Sequence, residues 1–143
     1  MTDIAYGTFM KGIINALQTT LLGASSFSSG QAYFGWVENP SDVLNVRINL
    51  VEDNIENTGV NVHIHYIVYE LQLRWIGGRE ETDVETFMDY VGELVDEIED
   101  TPKLGLSYIQ DTTVDRTSWS RTPDAQGLLH TGVIYITVRG MRN

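Results

Sequence analysis

Residues 43–76 read VLNVRINLVEDNIENTGVNVHIHYIVYELQLRWI, and this stretch decides the fold. Leu44, Val46, Ile48 and Leu50 point one way, while Asn45, Arg47 and Asn49 point the other. That period of two is the mark of a half-buried strand. Residues 52–59 (EDNIENTG) are polar and rich in turn formers, so they predict a hairpin tip. A second strand is expected over residues 60–76. Val60, Val62 and Ile64 share one of its faces, yet Leu71, Leu73 and Trp75 share the opposite parity. The spacing therefore predicts a bulge, or burial on both faces, near residues 66–70. At ~3.3 Å per residue such a strand spans about 55 Å. A chain of 143 residues does not need that length for its core, so the hairpin is expected to project as an arm.

Helices flank this centre. Ile4, Phe9, Ile13, Ile14, Leu17, Leu21 and Leu22 fall at helical spacings, with Gly23 placed to cap the helix in the left-handed region. Residues 23–30 (GASSFSSG) read as a small-residue loop, and residues 31–37 as a further strand before a turn at 39–42. After Gly77 and Gly78, Thr82 and Glu85 have the spacing of a capping box. Val84, Phe87, Met88, Val91, Leu94, Val95 and Ile98 then form an apolar stripe, ended by Pro102. Gly92 lies beside the stripe, where close packing on the sheet would justify it. Strands over residues 106–119 and 128–139, joined by a turn at 122–127, close the chain. The order is α-β-β-β-α-β-β. The expectation is an α+β fold in a single domain over residues 1–143, with a mostly antiparallel sheet and one or two helices packed on it.

Charge narrows the function. Of 20 acidic residues, ten lie in residues 80–100, where there is no Lys or Arg. The rest of the chain pairs ten acids with nine bases, so a near-neutral body carries one strongly acidic helix. Such a surface disfavours nucleic-acid binding through it. The chain has no cysteine, which excludes disulfides, thiolate ligands and cysteine nucleophiles. No apolar run approaches the ~18 residues that read as a membrane span. The N-terminus has no signal-peptide pattern, so a soluble, unprocessed chain is expected.

No constellation argues for catalysis. His63 and His65 share a strand face and would chelate zinc or nickel if Asp111 or Asp115 arrived as a third ligand. The competing reading is a solvated polar face or an interface on the arm. Asp89, Glu93 and Glu97 form i, i+4 acid pairs, but they lie opposite the apolar stripe and read as a solvated helix face. Ser25, Ser26, Ser28 and Ser29 lack an adjoining base. Tyr33, Phe34, Trp36, Tyr66, Tyr69, Trp75, Tyr108, Trp119 and Tyr135 all fall on expected strands, more aromatics than one small core buries. Some are expected at a partner. A small-molecule pocket lined by Trp36, Trp75 and Tyr135 is the alternative.

The layout resembles the tail-terminator, or tail-completion, subunits of tailed phages and related viruses. The resemblance lies in the order of elements: an N-terminal helix, the long hairpin over 43–51 and 60–76, the acidic helix over 84–98, and a closing hairpin ending in VIYITVRG. It covers nearly the whole chain but rests on no signature motif. It implies a non-enzymatic virion protein without cofactor or metal, forming a homo-oligomeric ring, hexameric in that family. Its partners would be the tail tube protein and neck or connector proteins, with DNA passing through the lumen and no membrane involved. It would be assembled in the host cytoplasm and end in the virion, in the tail or neck. Head–tail adaptors and stoppers share related folds and remain open as alternatives. The subunit interface is expected on the arm, at Glu52, Asp53, Ile55, His63, His65, Tyr66 and Tyr69.

Overall fold

The structure, a computed structural model, describes residues 4–27, 31–35, 44–125 and 127–143. It is an α+β fold in the expected order: α1 (Tyr6–Leu21), β1 (Ala32–Phe34), β2 (Leu44–Gly59), β3 (Val62–Gly77), α2 (Glu81–Asp100), β4 (Ile109–Asp124) and β5 (Gly127–Arg142). The strands form one sheet in the order β1-β2-β3-β5-β4. Every pairing is antiparallel except that of β1, which runs parallel to β2 and touches it only from Val46 to Ile48. The expected turn at 39–42 lies outside the described residues.

One face of the sheet carries the helices. Ile67, Leu71 and Leu73 of β3 pack with Ile134, Ile136 and Val138 of β5, beneath Phe9, Ile13 and Leu17 of α1 and Phe87, Val91, Leu94 and Ile98 of α2. Two glycines set the approach. A Cβ on Gly132 would lie 3.1 Å from Val91, and one on Gly140 would lie 3.0 Å from Phe9. On the other face, alternate residues of β3 from Ile64 to Ile76 are half-buried and no described helix covers them.

The arm departs from its expectation at two points. Residues 52–59 are strand, not tip; the turn is Val60–Asn61, with Asn61 in the left-handed region at φ 61°. Nor does β3 flip: His65, Ile67, Tyr69, Leu71 and Leu73 are buried in unbroken alternation. The irregularity belongs to β2, where Val51 is skipped between the Leu50–Tyr69 and Glu52–Val68 pairs. That single extra residue moves the core-facing positions of β2 from even to odd numbers. Val60, Val62 and Ile64 have the other parity because Val60 sits in the turn, 89% exposed, and Val62 and Ile64 lie half-buried on the face that no described helix covers.

Other boundaries shift for local reasons. Gly23 does not take the left-handed region; α1 unwinds through Gly23 N–H to Thr20 O and Ala24 N–H to Leu21 O bonds. The cap of α2 is Glu80 rather than Thr82, and Asp83 reaches back to accept the Glu80 N–H at 3.0 Å. Met88 leaves the stripe and is exposed. Gly92 faces open space rather than the sheet. β4 continues through Pro123, which an edge strand tolerates because proline's missing N–H costs no ladder bond on the outer side, where no described strand pairs.

Candidate functional site

The bulge at Val51 builds the most distinctive side-chain cluster of the molecule. It turns Asp53 toward the helix-bearing face, beside His65 of β3, where α1 begins and β5 ends. His65 Nδ1 lies 2.8 Å from Asp53 Oδ2, and Tyr6 Oη donates to the same oxygen at 2.8 Å. Arg142 Nε donates to His65 Nε2 at 3.1 Å. A guanidinium only donates, so Nε2 accepts and the imidazole proton resides on Nδ1, facing Asp53. Phe9 packs on the ring with centroids 4.8 Å apart. His65 is completely buried, and both its nitrogens are engaged within the chain.

Tyr69 lies under the same cluster. Burial pushes its phenol far above the usual tyrosine range, and the charge of Asp53 adds to that. Tyr6 is raised as well, by desolvation first and then by its hydrogen bond to Asp53. The Tyr69 hydroxyl and Asp53 Oδ1 are buried without a hydrogen-bond partner among the described residues.

The structure splits the expected interface set. His65 and Tyr69 are buried and the Asp53 side chain nearly so, engaged inside the subunit. They tie α1, the arm and the C-terminal strand together. Glu52 and Ile55 are exposed, and His63 and Tyr66 are half-buried. His63 Nδ1 is hydrogen-bonded to Asn57, and Tyr66 Oη donates to Glu56 at 3.3 Å, with Arg139 over its ring. Nothing local in the sequence marks Tyr6 and Arg142, because they lie 47 and 77 residues from the groups they bind.

The other candidates change too. The carboxylate beside His65 is Asp53, not Asp111 or Asp115, and no group of three metal-ligating side chains exists among the described residues. Glu93 and Glu97 are half-buried rather than solvated, and the Ser25 hydroxyl donates to Glu93. Trp75 and Tyr135 cannot line one pocket. Trp75 packs under α2 with Phe87, Tyr90 and His130, whereas Tyr135 pairs with Glu70 on the opposite face, beneath Arg116. Trp36 lies outside the described residues. Tyr108 is in the loop before β4 and packs on Phe9. No helix among the described residues is long and apolar enough to cross a membrane.

The surface beyond this cluster is mostly strand. Past Ile48 no described strand pairs with the outer edge of β2, and residues 54–61 are exposed. The outer edge of β4 is unpaired along its length among the described residues, and residues 115–125 are exposed. Both ends of the sheet therefore run past the helices.

No protein-family model matches the sequence, and no curated protein does. A chain from the virion of a native gene transfer agent particle has a similar structure, with a TM-score of 0.50 at 11% identity. The similarity covers 92% of this chain and 98% of that one, so the two share a fold over nearly their whole lengths.

Proposed function

We propose that this chain is a structural virion protein, a tail-terminator or tail-completion subunit that assembles into a homo-oligomeric ring at the head-proximal end of the tail or in the neck. The observation that carries the reading is the fold shared, nearly end to end, with a chain of a gene transfer agent virion. The shape of the subunit supports it. Four 16-residue strands outrun the two helices, and β2 and β3 end in an exposed turn that β5 accompanies as far as His63, leaving distal β2 as an open edge. Unpaired edges of that length invite pairing with another chain, and ring closure satisfies them.

On this reading the protein has no enzymatic activity and its ring is a hexamer. It contacts the tail tube protein on one side and connector or neck proteins on the other. DNA passes through the lumen without specific binding, and the acid-rich surface of α2 favours passage over adhesion. Assembly takes place in the host cytoplasm. A head–tail adaptor or stopper remains the alternative position, with the same kind of oligomer. Reconstitution with purified tail tubes tests the assignment. Capping of tube ends by rings supports a terminator, whereas rings that bind only the connector support an adaptor.

A further inference from the structure

Two edges of the sheet complement each other. The exposed outer half of β2 carries Glu52 and Glu56, and from Ile48 to Leu73 there is no Lys or Arg. The exposed half of β4, residues 115–125, carries Arg116 and Arg121 between Asp115 and Asp124, and the Asp115 carboxylate is taken up within the subunit by the Thr113 and Thr137 hydroxyls. Apolar groups match as well: Ile55 is 49% exposed on one edge and Trp119 is 44% exposed on the other. β2 runs toward the arm tip and β4 runs away from it, as the β2–β3, β3–β5 and β4–β5 pairings require.

We propose that the outer edge of β2 in one subunit pairs antiparallel with the outer edge of β4 in a second copy of this chain, so that the sheets join edge to edge. The inference rests on the ring reading and specifies its contact. The two edges lie on opposite sides of one sheet, so the contact is heterologous and repeats from copy to copy until the ring closes. Side chains alternate along a strand, so only every second register keeps the helix-bearing faces together. One such register sets Glu56 opposite Arg116 on the helix-free face. It also sets Ile55 opposite Thr117 on the helix-bearing face, with Trp119 diagonal to Ile55. Opposite charges and aromatic–aliphatic pairs at those positions stabilise a cross-strand contact. Main-chain hydrogen bonds would supply affinity while these pairs fix the register.

The absence of native cysteine makes the register directly testable. The full-length double variant Glu56→Cys, Arg116→Cys is oxidised mildly and run on a non-reducing gel, with assembly followed in parallel by native mass spectrometry. The expected result is a ladder of cross-linked copies ending at the closed ring. The pair Asn57→Cys, Arg116→Cys places its thiols on opposite faces and is expected to give none. An assembled ring with no ladder from the first pair, or with equal ladders from both, overturns the edge pairing and leaves the ring reading standing. A chain that stays monomeric overturns both. Charge exchange gives a second readout. Glu56→Arg or Arg116→Glu alone is expected to weaken association about two- to fivefold per contact, and the combined variant to restore it. Failure of the combined variant to recover counts against the pairing.

Discussion

At the scale of single residues, Tyr69 is the most informative position. Its hydroxyl is buried without a hydrogen-bond partner among the described residues. Tyr69→Phe removes that unpaired group, so at neutral pH it is expected to stabilise the fold by about 1 kcal/mol, read from the midpoint of urea unfolding. The phenol also sets an alkaline limit. Its folded value is raised, so the folded state keeps a proton that the unfolded chain releases near pH ~10. Stability is then full below about pH 10 and falls as pH rises toward the folded value, by up to ~1.4 kcal/mol per pH unit for this one group. The wild type is expected to lose stability above pH ~10 more steeply than Tyr69→Phe. Asp53→Ala acts in the opposite sense. It strands the buried His65 Nδ1–H, at a cost of about 2 kcal/mol in the same assay, while the exposed Tyr6 hydroxyl turns to water. None of this cluster was legible as a unit in the sequence. Alternation placed His65 on a strand, but it could not show that a skipped residue in β2 turns Asp53 toward it.

At the scale of elements, the helices were legible because their apolar stripes face a core, and burial writes a period into the sequence. α1 and α2 fall where the spacing put them. The distal half of β2 was not legible for the converse reason. Residues 52–59 lie beyond the helices, so most of them are exposed and no alternation is imposed; backbone pairing with β3 holds the strand. Polar composition there signals an uncovered strand as readily as a turn. Gly92 is a second case. An added Cβ there would meet nothing within 4 Å, so only the helix cost of glycine remains. Gly92→Ala is therefore expected to stabilise the protein by about 1 kcal/mol and raise Tm by about 3 °C in calorimetry. A lowered Tm would show that the position is packed in the assembled state. The acidic surface of α2 leads to a further expectation: no binding of duplex DNA by fluorescence anisotropy at ~0.15 M salt.

At the scale of the whole molecule, the order of elements carried the fold, and the structural likeness extends it to a virion protein with little sequence in common. Eleven per cent identity is compatible with this because the fold depends on where apolar residues alternate, not on which ones they are. The long strands were half legible. The excess strand length was visible, whereas the burial of His65 and Tyr69 and the turning of Asp53 toward them were not. The last residues of β4 were hidden because Pro123 and its neighbours resemble a turn. A native mass measurement on the purified full-length chain tests the ring most directly. The predicted result is a closed oligomer, about 97 kDa for six copies of the 16.1 kDa chain, with no ladder of open forms at saturating concentration. A mass of 16.1 kDa that persists as concentration rises, and in the presence of tail tubes, would contradict it.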